Sequence, residues 1–560
     1  MSRRVLRFLA AVSDPEPTIP PSPADPPAHP PASRHLARSA GVVGAATMTS
    51  RVLGLVREQV LAYWFGASDA MDAFLVAFRV PNLVRDLFAE GAMSAALVPT
   101  FSKALATEGR DRAWRLGNSV INALAIVTGG LVLLAVVFAE PIVGLLAGGF
   151  AAVPGKFELT VLLTRIVSPF LMLVALAAAC MGMLNSFNVF FVPALSPAMF
   201  NAASIVAAVA LVPAASAAGY DPILAVAAGA LVGGVGQVLL QWPALRAQGF
   251  RYRPAIDLAD PGLKRVLLLM GPGTVGLAAT QLNVFVNTVV ATGEGTGAVS
   301  YLGYAFRVMY LPIGLFGVSI ATAATPAMSR LAATGDTARM RSTLASAIAL
   351  MLTLNVPATL GLVVLAEPIV RLLFERGSFT PADTLATAAA VQLYAIGLVG
   401  YSVVKIVSPT FYAIGRSRTP VAVGIAAVLL NAVLSVASAP LLGYRGLALS
   451  ASIAALFNAA TLVWLARNAL AGLELRHVAG TGLRILLAGV LMAGASWLTI
   501  GGAATLIGGG GVAAQLARLA LAIGVALAVL ATAAHLLRVR EFVEVRDAVV
   551  GRLRRLAAQR

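Results

Sequence analysis

Charged residues interrupt the first two apolar stretches of the chain, and their types suggest chemistry. They are Arg51, Arg57, Glu58, Asp72, Arg79, Arg85, Asp86 and Glu90. An Arg or Asp at the middle of a membrane span costs about 2.5–3.5 kcal/mol, so such residues normally face a bundle interior or a hydrated cavity. The acids are too few to neutralise every arginine. We therefore expect Arg51, Arg57 and Arg85 to line a cavity, with helix-end positions near lipid headgroups as the alternative.

A cavity lined by guanidinium groups selects an anionic ligand, because the planar fork stays charged and binds two phosphate oxygens at once. A later apolar stretch adds Arg307, which has no acid on its own helix. Tyr301, Tyr304 and Tyr310 recur at multiples of three around it, which predicts either a packing face or contacts with a sugar or headgroup. Lys405 follows a charge-free run, where it is either another cavity cation or a helix-end residue.

The spacing of the charges also allows a purely structural alternative. Asp72, Arg79 and Asp86 lie seven residues apart, which places them on nearly one face of a helix. In this alternative Arg79 pairs with Asp72 or Asp86, and Glu58 likewise pairs internally, so that the charges only lock helices together.

Pro81 interrupts the same stretch. Proline removes a backbone hydrogen bond and biases the preceding residue away from the helical conformation. We therefore expect the span to break at 80–82, which would free backbone groups near Asn82 for a ligand.

The elements that carry these residues are membrane spans. Of the 560 residues, 59% are hydrophobic and 12% are charged, against about 25% charged in soluble domains. A transmembrane helix needs about 20 mostly apolar residues. The sequence predicts an all-α polytopic membrane protein with about fourteen transmembrane helices, at 41–65, 71–104, 114–146, 157–185, 189–213, 221–245, 262–292, 297–330, 340–366, 383–412, 417–441, 444–468, 481–501 and 513–537.

The positions of Lys and Arg predict the orientation. They concentrate at the termini and in the connections after even-numbered spans, and cytoplasmic loops are the basic ones. Both termini are therefore expected in the cytoplasm of a bacterial cell, with the chain in its inner membrane. Because the net charge of +17 lies between spans, nucleic acid is not an expected partner. The single cysteine, Cys180, and four scattered histidines suggest neither a disulfide nor a metal site.

Basic connections and composition divide the chain. We predict a disordered basic, Pro-rich cytoplasmic tail at 1–40, a first six-helix lobe at 41–245, a cytoplasmic linker at 246–261 and a second six-helix lobe at 262–470. Two extra transmembrane helices follow at 471–537, and a basic cytoplasmic tail at 538–560. Repeats of this kind usually place the substrate site at their interface.

Several stretches resemble the MviN/MurJ family of lipid II flippases. They include SRVLGLVRE (50–58), FGASDAMDAFLVAFRVPNLVRDLFAEGAMSAALVPTFSK (65–103), YAFRVMYLPIGLFGVSIATAATPAMS (304–329) and LLFERGSFTPADT (372–384). The resemblance implies a fourteen-helix member of the multidrug/oligosaccharidyl-lipid/polysaccharide exporter superfamily. It implies export of an undecaprenyl-pyrophosphate-linked peptidoglycan precursor by alternating access, with the last two spans forming a groove for the polyprenyl tail. Family residues important for function match Arg51, Arg57, Asp72, Asn82, Arg85 and Arg307.

The chain also departs from the family pattern. Tyr310 stands where many relatives have an acid, and Asp86 stands where relatives have a basic residue. Some relatives are thought to bind sodium through acids in spans seven and eleven, which are charge-free here. Sodium coupling is therefore not expected. The membrane potential, worth about 2.3 kcal/mol per charge per 100 mV, remains as a drive.

We expect a lipid flippase without cofactor or catalytic activity. Its partners would be the polyprenyl-pyrophosphate-linked glycopeptide, membrane lipids and the cell-wall synthesis machinery. A cation-coupled drug exporter would need acids in the cavity. A membrane glycosyltransferase or lipid phosphatase would need carboxylates or a histidine nucleophile near a membrane face, and the sequence shows no such constellation. A scaffold that binds the precursor without transport is a further alternative.

Overall fold

The computed structural model describes residues 32–87, 93–543 and 546–547, and within these ranges the regular structure is entirely helical. Glu90, the side chain of Asp86 and most of both predicted tails lie outside the described residues. The first helix begins at Ala32, so residues 32–40, which the sequence assigns to the tail, continue this helix. The reason is that Pro31 is the last proline of the tail.

Twenty α-helices follow one another in the described ranges. They are α1 (Ala32–Phe65), α2 (Asp69–Leu87), α3 (Met93–Thr107), α4 (Arg110–Val137), α5 (Ala139–Ala147), α6 (Lys156–Val167), α7 (Phe170–Ser186), α8 (Phe191–Val206), α9 (Val212–Ala217), α10 (Ile223–Ala247), α11 (Pro261–Thr292), α12 (Ala298–Pro312), α13 (Val318–Ala333), α14 (Thr337–Phe374), α15 (Pro381–Ile396), α16 (Leu398–Ala413), α17 (Arg418–Leu442), α18 (Tyr444–Ala469), α19 (Leu475–Leu506) and α20 (Val512–Leu536). A 3₁₀ turn, Gly148–Ala152, follows α5, and π-helical turns join α8 to α9 (Ala207–Leu211) and α12 to α13 (Ile313–Gly317).

Eleven helical segments among the described residues are long and apolar enough to cross a membrane. They are Arg110–Val137, Lys156–Ser186, Phe191–Ala217, Ile223–Ala247, Ala298–Ala333, Thr337–Phe374, Pro381–Ala413, Arg418–Leu442, Tyr444–Ala469, Leu475–Leu506 and Val512–Leu536. They correspond to predicted spans three to six and eight to fourteen. The three other predicted spans correspond to α1, to α2 with α3, and to α11. The all-α, multi-pass fold is confirmed, and fourteen is an approximate number.

The predicted break at Pro81 is not observed. Helix α2 runs through Pro81 without interruption and ends at Leu87. A proline costs one backbone hydrogen bond, and tight packing around a membrane helix compensates for that loss. Here Val76, Ala77 and Pro81 itself are all buried among neighbouring helices.

One large apolar core unites the first half of the chain, α1–α10, with the second half, α11–α18. Its buried residues include Phe74 of α2, Phe150 of the 3₁₀ turn after α5, Tyr304 of α12 and Phe374 of α14. It lies at the end of the bundle formed by connections 66–68, 148–155, 293–297 and 375–380, which we call the joined end. Other cores form away from this end, one around Phe101 and Trp114, another around Met340 and Phe411.

The connection between the two halves is fastened to α4. Asn118 and Asn122 donate to the backbone oxygens of Arg251 and Arg253. Arg112 donates two hydrogen bonds to Asp260, at 2.6 and 2.8 Å, and Asp260 also caps the first turn of α11. These hydrogen bonds hold the pKa of Asp260 below its usual range. These contacts hold the connection and the start of α11 against α4.

The last two helices form an appendage on the second half. Helix α19 packs along α14 and along α20. A small core around Ile485, Met492 and Leu530 holds the pair together.

Candidate functional site

Helices α1 and α12 place three of the predicted arginines around one cavity of about 470 Å³. Arg51, Arg57 and Glu58 come from α1, and Arg307 comes from α12. Residues 51, 54, 55 and 58 recur at helical spacing, so one face of α1 lines the cavity. Tyr310 lies one turn beyond Arg307 and lines the same cavity. The cavity therefore lies between the two halves of the protein.

Glu58 bridges the two halves inside this cavity. Its carboxylate forms an ion pair with Arg57 on its own helix and with Arg307 on α12. Glu58 is only 4% exposed, while the side chain of Arg307 is 41% exposed. A single carboxylate therefore serves two guanidinium groups.

The charge of the cavity stays positive after this pairing. Glu58 is the one acid among the described lining residues, which include three arginines. Arg51 has no ion-pair partner in the described part of the chain, and the Nε of Arg57 is buried without a hydrogen-bond acceptor there. Three guanidinium groups against one carboxylate leave two positive charges, an arrangement that suits a phosphate-bearing ligand.

Arg85 lies in an adjoining cavity of about 570 Å³ within the first half. This second cavity is lined by α1, α2, α7, α8 and α10. Arg57 lines both cavities, and its guanidinium carbon lies 4.8 Å from the centre of the Phe200 ring. The structure thus brings Arg51, Arg57 and Arg307 together, and links Arg85 to them through Arg57.

Asp72 is placed elsewhere, at the joined end. It is fully buried and accepts hydrogen bonds from Lys156 at 2.9 Å, from the backbone of Gly297 at 2.8 Å, and from the backbone and hydroxyl of Ser300. Helix N-termini present unpaired N–H groups and favour a negative charge. Asp72 therefore fastens α2 to the start of α12, and it lines neither cavity. Its partner is Lys156 rather than Arg79.

Lys156 was missed by the sequence reasoning, although a signal was present. It is the basic residue of a connection that is otherwise poor in cations. The structure buries it between Asp69 and Asp72, with its ammonium group 4.2 Å from the centre of the Phe150 ring. A buried lysine normally requires such a carboxylate partner.

Glycines let the two halves approach closely at the joined end. Ser378 donates to the backbone oxygen of Tyr63 at 2.8 Å. Gly66 and Gly377 have φ values of 57° and 61°, and a Cβ on either would lie 2.2–2.4 Å from backbone oxygen of the other half. Only glycine fits these two positions.

Four other residues that the sequence singles out lie outside the lining of both cavities. Tyr304 is buried, donates to the backbone oxygen of Gly66 and packs against Phe374, so the packing alternative holds for it. Arg79 and Lys405 are half-buried on α2 and α16 and line neither cavity. Asn82 is half-buried on α2, and its side-chain oxygen has no hydrogen-bond partner among the described residues.

Helices α11 and α17, the predicted spans seven and eleven, meet through neutral side chains. Asn431 donates to Asn283 and Asn287 at 2.6 and 2.9 Å, and Ser435 donates to Asn287 at 3.2 Å. The side-chain oxygens of Asn283 and Asn287 accept these hydrogen bonds, while the side-chain oxygen of Asn431 is buried without a partner among the described residues. No group of three or more His, Cys, Asp or Glu that could hold a metal occurs in the part of the chain that the structure describes. The described contacts between α11 and α17 are therefore made by amides and a hydroxyl rather than by acids.

Known proteins resemble this chain over most of its length. A sequence model of the family described as "Lipid II flippase MurJ" matches residues 61–508. A probable lipid II flippase MurJ of Vibrio cholerae is 36% identical over 439 residues, covering 77% of this chain and 82% of that protein. A lipid II flippase MurJ of Burkholderia cenocepacia is 35% identical over 432 residues, covering 76% and 83%.

Solved structures show the same likeness. "Lipid II flippase MurJ, inward closed conformation" superposes with a TM-score of 0.72 at 27% identity, covering 88% of this chain and 98% of that one. An inward-facing transporter of the multidrug resistance MATE family superposes with a TM-score of 0.63 at 16% identity, covering 77% and 98%. The second likeness shows a common fold.

Proposed function

The chain belongs to the lipid II flippase MurJ family, and from this premise we propose that it carries lipid II, the undecaprenyl-pyrophosphate-linked peptidoglycan precursor, across the bacterial cytoplasmic membrane. The observation that carries the proposal is the bridge of Arg57, Glu58 and Arg307 between the two halves. A site at this interface can change shape when the halves move. The substrate passes from the inner to the outer leaflet for cell-wall synthesis.

Pyrophosphate is the group that this cavity recognises. Its oxygens compete with the Glu58 carboxylate for Arg57 and Arg307, and Arg51 adds a further donor. Charge-assisted hydrogen bonds of this kind are roughly twice as strong as neutral ones. Substrate binding therefore replaces the ion pairs of Glu58 with ion pairs between the arginines and pyrophosphate. This loosens the bridge between the halves.

Alternating access requires the joined end to open and the opposite end to close. In the described conformation the joined end is sealed by the contacts of Asp72 with Lys156, Gly297 and Ser300, and by the Tyr63–Ser378 hydrogen bond. The positive-inside pattern puts the joined end outside the cell, with both termini in the cytoplasm. The cavity then loads from the cytoplasmic leaflet and discharges where the joined end opens.

The membrane potential supplies a drive in this scheme. One negative charge moving outward gains about 2.3 kcal/mol per 100 mV of inside-negative potential. A pyrophosphate that joins a lipid to a sugar carries about one negative charge per phosphate, so it offsets the two positive charges of the cavity. Loaded and empty carriers therefore respond differently to the field. Neither a cofactor nor a sodium ion is part of the proposal.

The polyprenyl tail fits the groove between α19 and α20. This groove has a volume of about 680 Å³ and is lined by apolar side chains such as Leu487, Leu491, Val529 and Leu536. Transfer of an apolar chain from water to an apolar environment is worth about 0.8 kcal/mol per CH₂. In a bilayer the tail gains less, because lipid is also apolar, so the groove guides the tail more than it binds it.

The test is translocation by the purified protein in sealed vesicles loaded with radiolabelled lipid II. The proposal expects labelled lipid to become accessible in the opposite leaflet without chemical change. Recovery of a modified product would indicate an enzyme, and tight binding without translocation would indicate a scaffold. A drug exporter would instead move organic cations, which the net positive charge of the cavity disfavours.

A further inference from the structure

The second cavity carries unused hydrogen-bonding groups that the arginine site does not explain. Its polar lining consists of Ser196, Asn201, Gln237 and Gln241, in addition to Arg57 and Arg85. Its volume of about 570 Å³ lies within the range of about 300–1,000 Å³ typical of small-molecule sites. The three amides come from α8 and α10.

Gln237 is the clearest of these groups. It is 8% exposed, lines the cavity, and its side-chain amide has no hydrogen-bond partner among the described residues. Only its backbone oxygen is used, by Ser196 and Gln241. A buried amide contributes two donors and an acceptor that normally find partners. The side chain is therefore placed for a ligand rather than for packing.

Two neighbours also offer free acceptors. The amide nitrogen of Gln241 donates to Ala177 and Ser196, while its oxygen is buried without a partner within the described ranges. Asn201 donates to the backbone of Ser50, and its oxygen likewise accepts no hydrogen bond from a described residue. The cavity thus combines neutral acceptors and donors with the rings of Phe170 and Phe200.

We propose that this cavity is the subsite for the sugar attached to the pyrophosphate of the substrate. The inference rests on the proposed function, because it takes the pyrophosphate at Arg57 as the anchor. A sugar bonded to that pyrophosphate can reach the second cavity, since Arg57 lines both. Hydroxyl and acetamide groups match neutral amides, and the apolar faces of the ring match the phenylalanines. The two arginines of this cavity, Arg57 and Arg85, are assigned to the pyrophosphate, and the remaining polar lining is neutral.

The experiment compares binding of three probes to the full-length protein in nanodiscs. The probes are polyprenyl pyrophosphate without sugar, the same lipid bearing its sugar without peptide, and complete lipid II. Gln237→Met, nearly isosteric and unable to hydrogen-bond, should weaken binding of both sugar-bearing probes about tenfold, the effect of roughly one hydrogen bond. Binding of the sugar-free probe should not change. Gln392→Met on α15, which lines neither cavity, is the matched control and should change nothing.

Met181→Trp provides a second test that does not depend on one amide. Met181 is half-buried and lines the cavity, so the larger ring takes up part of the space open to a sugar. This variant should show the same loss for sugar-bearing probes only. Equal loss for all three probes, or no loss in either variant, would overturn the sugar subsite. Arg57→Gln separates the two proposals: it should weaken all three probes, and unchanged binding there would refute the pyrophosphate site instead.

Discussion

Replacement of Glu58 by Gln is the most informative single perturbation of the bridge. The substitution keeps the shape of the side chain and removes the charge that holds Arg57 and Arg307. In the native protein, pyrophosphate has to displace this carboxylate and also meets its repulsion. Each hydrogen bond to a charged group is worth about 1.5–3 kcal/mol. Because the arginines are then free, we expect lipid II to bind about tenfold to a hundredfold more tightly.

Transport by this variant should nevertheless be slower than in the native protein. Tighter binding is expressed mainly as slower dissociation, and the carboxylate that takes the arginines back after release is missing. Binding is measured in nanodiscs and transport in sealed vesicles, with Glu58→Asp as the control that keeps the charge. Weaker or unchanged binding of lipid II by Glu58→Gln would refute the reasoning, because it would show that Glu58 does not compete with substrate.

Three further outcomes are expected. Asp72→Asn alone should destabilise the protein and impair transport, since it removes the more deeply buried of the two carboxylates that pair with Lys156. Asp72→Asn with Lys156→Met should recover part of the stability. A double-mutant cycle with no coupling between the two positions would contradict the joined-end lock. Asp260 contributes stability that is present above the unfolded pKa of Asp and is lost as the pH falls through the lowered folded pKa, and Asp260→Asn should remove it. The thermal unfolding temperatures of the native protein and the variant should therefore converge in acid. A difference that stays constant with pH would speak against the Arg112–Asp260 contact. Leu491→Glu in the groove should slow transport of long-chain lipid II and spare a short-chain analogue, so equal slowing of both would refute a tail-guiding role.

The sequence predicts the membrane fold well because the signal is local. Long charge-free stretches identify spans directly, and the eleven segments found in the structure all coincide with predicted ones. The cost of burying arginine likewise predicts a cavity at Arg51, Arg57 and Arg307, since few other environments accept an unpaired guanidinium in a bilayer. These inferences depend on the residue and its immediate neighbours.

Tertiary placement explains what local reasoning missed. Helical spacing puts Asp72 and Arg79 on one face of α2, yet spacing does not reveal which neighbouring helix each residue meets. Asp72 meets Lys156 and the start of α12, more than eighty and two hundred residues away in the chain. The Pro81 break was wrong for a similar reason, because neighbouring helices stabilise a strained turn that an isolated helix would lose. The sequence does not single out the amides of the second cavity, because an uncharged polar residue in an apolar stretch is common and becomes informative only when the fold brings several together.

The central claim is that Arg57 and Arg307 hold the pyrophosphate of the substrate between the two halves. Its most direct test is lipid II transport by Arg57→Gln/Arg307→Gln in sealed vesicles, with Arg57→Lys/Arg307→Lys as the charge-preserving control and thermal unfolding as a check on the fold. The account predicts that the glutamine protein is folded, binds lipid II weakly and does not transport it, while the lysine protein keeps part of its activity. Transport by the glutamine protein at the native rate would contradict it.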